Sequence, residues 1–193
     1  MKTIYFLIGI CTILSSCSGE ETIIYQIQNE EQEQEVVATC SDGIQNGEET
    51  AIDCGGNCTP CTISISLEGK AQKGPFINGS AILVTELDDN FNATGKVFTT
   101  EIIDNTGSFA INNLNLVSQN ISLRVDGFYF NEVCGEQSNA PITLQGISAL
   151  ENTTTVNLNV LTHLEKRRTQ YLIENGTSFI QAKFQAQGEI LDI

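Results

Sequence analysis

From Ile63 onward the hydrophobic period is two. Ile63, Ile65 and Leu67 alternate with Ser64, Ser66 and Glu68, which is the pattern of a strand that buries one face. After this first run, near 62–71, similar runs follow near 80–87, 95–103, 107–112, 120–130, 141–149 and 154–160. Turn-forming residues separate them, among them Asp88-Asp89-Asn90, Asn105-Thr106-Gly107 and Asn152-Thr153. Strands at this spacing predict a mainly β chain: an antiparallel Greek-key β-sandwich over residues 62–159. Hydrophobic residues at 40% and charged residues at 17% suit a folded β-rich body better than a disordered one.

Within that stretch Gly69, then Gly74-Pro75-Phe76-Ile77-Asn78-Gly79-Ser80-Ala81, Thr94-Gly95 with Phe98-Thr99, Asp104 with Gly107-Ser108-Phe109, and Val125-Asp126-Gly127-Phe128-Tyr129 follow one another. Together they resemble the carboxypeptidase regulatory-like, or transthyretin-like, β-sandwich over residues 62–130. The resemblance implies a non-catalytic module that packs beside enzymes, transporters or adhesive domains. Two departures are visible: Gly74-Pro75-Phe76 stands where a Pro-aliphatic turn is commoner in the family, and a long stretch follows Tyr129. Cys134 in that stretch is expected to be buried as a small apolar side chain, with pairing to one of the cysteines of the cluster at 40–61 as the alternative.

Ahead of the strands lies a cluster, Cys40, Cys54, Cys58 and Cys61. Outside the cytoplasm four such cysteines imply two disulfides, and sequence leaves the three pairings open. Cys58-x-x-Cys61 also has zinc-ligand spacing, but an oxidising compartment favours the bridges. Asp42, Asn46, Glu48, Glu49 and Asp53 crowd oxygen ligands around Gly43 and Gly47. That chemistry suits calcium, although the spacing is not that of a twelve-residue EF-hand loop, and solvated carboxylates on glycine turns are the plainer reading. Residues 40–61 resemble a short cysteine-rich module of surface and secreted proteins of Bacteroidetes and myxobacteria, which implies an extracellular spacer.

The compartment is read from the N-terminus. Lys2 gives a positive start, residues 4–14 give an apolar stretch of signal-peptide length, and Leu14-Ser15-Ser16-Cys17 follows. The stretch is too short to span a bilayer as a helix. Its end resembles a lipobox, which implies removal of residues 1–16 and covalent lipid, with palmitate-type acyl chains, on Cys17. Several acyl chains make membrane anchoring effectively permanent, where a single chain is marginal. Ser18-Gly19-Glu20-Glu21 lacks an aspartate beside the cysteine, and its acidic pair resembles an export signal of Bacteroidetes-type outer-membrane lipoproteins. Outer-membrane anchoring, facing the cell surface, is therefore expected. Residues 17–39 read as an acidic tether: residues 18–61 hold ten Asp or Glu and no Lys or Arg, so the segment repels itself.

Helical spacing begins near Asn159 and places Val160, Leu161, Leu164, Tyr171 and Leu172 on one side, opposite Glu165, Lys166, Arg167 and Arg168. Gly176 is expected to stop this helix, and Ser178 with Gln181 to form a capping box for a second one marked by Phe179, Ala182, Ala186 and Ile190. Residues 160–193 thus form a helical hairpin. The second helix reaches Ile193 without a stop signal, which predicts a chain that continues further.

The formal charge is −15, and residues 1–16 contribute a single positive charge to it, so a nucleic-acid partner is excluded as a class. The sequence holds one histidine, His163, without partners at a catalytic spacing, and neither a phosphate-cradling glycine loop nor a Gly-x-Ser-x-Gly elbow. No catalytic residue and no cofactor beyond the Cys17 lipid is expected, calcium apart. The reading is a surface-anchored, non-catalytic binding or scaffold module whose partner is a glycan or another envelope protein. The alternative is the N-terminal accessory region of a longer secreted enzyme such as a hydrolase.

Overall fold

The computed structural model describes residues 39–151 and 153–192. The expectations for residues 1–16, Cys17 and most of the tether lie outside the described residues. The strands are β1 (Ile63–Gln72), β2 (Ala81–Leu87), β3 (Ala93–Glu101), β4 (Ser108–Leu116), β5 (Asn120–Gly127), β6 (Phe130–Asn131), β7 (Glu136–Gln137), β8 (Ile142–Ala149) and β9 (Leu158–Asn159). Two helices follow, α1 (Val160–Glu174) and α2 (Phe179–Leu191).

Two sheets make the body, one with strand order β4-β1-β9 and one with order β3-β2-β5-β8, while β6 and β7 form a small ribbon. The alternating residues of each sheet meet in a single core. Leu67, Phe109, Ile111, Leu114, Leu116 and Leu158 come from the first sheet, and Ile82, Val84, Ile121, Leu123, Val125 and Leu144 from the second. This is the expected mainly β sandwich, with antiparallel pairing except at β9, which runs parallel to β1 through Ala71 opposite Leu158.

Several strands differ in extent from their sequence pattern. The fourth run does not stop near residue 112 but continues to Leu116, because Asn113 takes a left-handed φ of 60° and absorbs one extra residue. Opposite it the register slips between Ile65 and Leu67, so Ile111 and Leu114 both face the core despite their odd spacing. The last run yields a strand of two residues, since 154–157 approach β1 through single contacts such as Val156 N–H donating to the Glu68 carbonyl at 2.9 Å. Gly107 has φ +78°, and a Cβ there would lie 2.3 Å from the Ala71 carbonyl oxygen. Its own carbonyl accepts the Ala71 N–H at 2.8 Å, so only glycine closes this turn against β1.

The helices start and stop as chemistry dictates. Asn159 caps α1 by accepting the Thr162 N–H at 2.9 Å, and the Thr162 hydroxyl accepts the Asn159 N–H at 2.8 Å. At the other end the Gly176 and Thr177 amides donate back to the carbonyls of Ile173 and Leu172, the Schellman arrangement that the left-handed glycine allows. Ser178 makes no side-chain cap bond, so the expected second capping box is not formed.

The expected faces of α1 are corrected more deeply. Glu165, Thr169 and Leu172 are its buried residues, whereas Val160, Leu161, Leu164 and Tyr171 are exposed. The reason is the neighbour. α1 packs on α2 and β8, and its inward side meets Lys183 and Gln187, so a carboxylate at 165 finds donors where an apolar side chain would find none. On α2, Ala182 and Ala186 face inward and let the helices approach, while Ile180, Phe184 and Leu191 point to solvent. Cys134 is also corrected: it is exposed and unpaired in the turn between β6 and β7, because that two-stranded ribbon stands outside the core and has no interior to receive it.

Candidate functional site

The cysteine cluster resolves into two interleaved bridges, Cys40 with Cys58 and Cys54 with Cys61, whose Cα atoms are 5.5 and 4.9 Å apart. This pairing takes Cys58 and Cys61 into different bridges, so the zinc spacing of that pair is not used. Cys40, Glu49 and Cys58 gather their ligand atoms within 4.8 Å of one another, but both sulfurs belong to one bridge and neither offers a thiolate.

Between the bridged cysteines the carboxylates hold turns. Asp42 accepts the Ile44 N–H at 2.9 Å, the Thr39 N–H at 3.1 Å and the Asn46 side-chain amide at 3.0 Å. These bonds, the Asn46 amide foremost, hold its carboxyl below the ordinary value. Asp53 accepts the Gly43 N–H at 3.0 Å, and one Glu49 oxygen accepts the amides of Asn46 and Asp53 at 3.2 and 3.3 Å. Glu48 accepts from the Asn57 side chain at 2.7 Å. Of the calcium candidates, Asp42 and Asn46 touch directly and Asp53 joins them through Gly43, while Glu48 is turned toward Asn57. The Asn46 side-chain oxygen is buried without a hydrogen-bond partner. A cleft of about 280 Å³ beside it is lined by Cys40, Asn46, Glu48, Glu49, Asn57 and Cys58.

Further polar centres lie on the sandwich and the helices, and the one at Glu86 joins residues far apart in the chain, which leaves little sign of it in the sequence. Glu86 on β2 is 2% exposed and accepts the Val117 and Ser118 amides at 2.5 and 2.9 Å and the Thr94 hydroxyl at 3.0 Å, with the Lys96 ammonium 3.9 Å away. Burial is the largest single influence on its carboxyl and acts upward, but the two amides, Thr94 and Lys96 together outweigh it and leave the group below its ordinary value. Asp126 behaves alike: burial acts upward, and hydrogen bonds from Arg124 and Thr143 with the Arg124 charge prevail. Asp104 is drawn down to about 2 by the Ser108 amide and the Thr106 side chain. Glu189 is drawn to about 2 by Arg168 and Gln185. Each carboxylate is therefore ionised near neutrality and engaged with donors that fix a turn or an ion pair.

His163, the histidine in the chain, is exposed on α1, and its Nδ1 accepts the backbone N–H of Gln145 at 3.1 Å. It thereby covers part of the outer edge of β8, which is the last strand of its sheet.

No family model matches the chain, and no curated protein matches it. Among solved structures, BcpA, the major pilin subunit of Bacillus cereus, aligns at 18% identity over 50% of this chain with a TM-score of 0.29. The alignment spans 29% of that pilin, so this chain matches less than a third of its length.

Proposed function

We propose that this chain is a lipid-anchored protein of the bacterial outer membrane, facing the cell surface, that serves as a non-catalytic binding or scaffold module on a carboxypeptidase regulatory-like sandwich. The observation that carries the reading is the pair of interleaved disulfides in residues 40–61. Such bridges persist in oxidising compartments and are reduced in the cytoplasm, which agrees with the Leu14-Ser15-Ser16-Cys17 signal upstream. Support for the non-catalytic part comes from the titratable groups. Asp42, Glu86, Asp104, Asp126 and Glu189 are all held in the charged state by structural donors, the opposite of a carboxyl poised to exchange protons near neutrality. The partner is a glycan or another envelope protein, met by sheet edges or loops, and nucleic acid is excluded by the charge of −15.

The test is processing. Globomycin, which blocks the lipoprotein signal peptidase, leaves a heavier precursor, and Cys17→Ser releases the protein from the membrane fraction or stalls its maturation. Protease added to intact cells removes the surface-facing protein. Unchanged processing in both anchor experiments overturns the anchoring, and complete protection from protease overturns the surface orientation.

A further inference from the structure

Gln145 on β8 is the meeting point of three basic side chains from two elements. On the outer face of the sheet it stands opposite Arg124 of β5 in the strand register. From α1, Lys166 donates its ammonium to the Gln145 side-chain oxygen at 2.8 Å, and His163 takes the Gln145 amide on Nδ1, so the neutral imidazole carries its proton on Nε2. Arg124 commits Nε and Nη2 to Asp126 at 2.6 and 2.9 Å, which leaves Nη1 for another acceptor.

The charges here are not balanced. Lys166 is half-buried, bonded to a neutral amide, and engaged in no ion pair among the described residues. Burial first and the Arg124 charge second push its ammonium below the ordinary value, so the chain holds two like charges close together at a cost. The nearby carboxylate, Asp126, is already taken by Arg124 and by the Thr143 hydroxyl. In a chain with a formal charge of −15, a half-buried ammonium with no carboxylate partner, set beside a guanidinium that already holds Asp126, is an arrangement that structure alone does not require.

We propose that Arg124, His163 and Lys166 form a binding site for a single phosphate group, carried by a small soluble ester or by a lipid headgroup. A tetrahedral oxyanion has oxygens enough to accept from donors arriving from both sheet and helix, and its charge offsets the repulsion between the cations. The surrounding negative charge disfavours polyanions and leaves one discrete phosphate as the fitting ligand. This site does not depend on the anchoring proposed above, and its test uses the full chain with Cys17→Ser, so that no acyl chain contributes to binding.

The probe is inorganic phosphate in a urea unfolding experiment, with chloride at matched ionic strength as control. Phosphate at ten times its dissociation constant raises the folded-to-unfolded ratio about elevenfold. Lys166→Met abolishes that response and leaves the phosphate-free protein as stable as before or more so, because it removes a buried like charge. Arg167→Gln, on an exposed neighbour, keeps the response. Vesicles of phosphatidic acid in phosphatidylcholine then assign the source: sedimentation with them, competed by inorganic phosphate, identifies a headgroup, and its absence a soluble ester. The site is overturned if chloride acts equally, if phosphate has no effect, if Lys166→Met keeps the response, or if Arg167→Gln loses the response as fully.

Discussion

Replacing Glu86 tests whether a buried charge clamps the sandwich. The carboxylate accepts two backbone amides, of Val117 and Ser118, which form the turn from β4 to β5. Glu86→Ala removes the charged acceptor of two part-buried amides, bonds worth about 1.5–3 kcal/mol each, so a loss of about 4 kcal/mol is expected. Glu86→Gln keeps an oxygen for the amides, and its amino group can donate to the Thr94 hydroxyl. It loses the charge-assisted part of the bonds and the Lys96 attraction, about 1–2 kcal/mol. Urea unfolding of the three proteins at neutral pH measures both figures. The same series has a pH signature. The folded carboxyl lies below its unfolded value, so its contribution is complete above the ordinary carboxylate range and is lost as pH falls through the folded value. The acid limb of stability is thus shallower in Glu86→Gln than in the wild type. An Ala variant within about 1 kcal/mol of the wild type, where about 4 is expected, or Gln and Ala variants that are equal, would refute the clamp.

Two further expectations follow from the pairings. Non-reducing peptide mapping should recover Cys40 linked to Cys58 and Cys54 linked to Cys61; by loop length, removing the first bridge costs about 3 kcal/mol and the second about 2.5, and any other linkage refutes the module described above. Lys183→Met strands the Glu165 carboxylate, 4% exposed between the helices, and should cost about 3 kcal/mol by chemical denaturation; adding Glu165→Leu should recover most of it, and a double variant no better than the single one would show that the pair does not act together.

The sandwich was legible because alternation is local: Ile63 to Leu67, or Leu123 and Val125, announce their faces within a few residues. The bulge at Asn113 was not, since its neighbours Asn112 and Asn115 give no sign of which one turns left-handed. The helix hairpin was legible in its termini but not in its faces. Asn159 and Gly176 carry cap chemistry in their own side chains or backbones, whereas the inward turn of Glu165 depends on Lys183 and Gln187 in another helix. Cysteine count predicted two bridges, yet the choice among three pairings needed the turns that Asp42, Glu49 and Asp53 hold in place. The Glu86 and Gln145 centres were invisible for the same reason, each joining strands or helices distant along the chain.

The interleaving of the two bridges bears on what happens under tension. A load entering at Cys40 and leaving at Cys61 does not stretch the intervening backbone. It crosses to Cys58 over 5.5 Å and then follows the short piece to Cys61, a covalent path of roughly 16 Å in place of about 70 Å for the open chain. A stretching force would thus lengthen the chain outside this knot, while the knot itself yields almost nothing until a reductant cuts it.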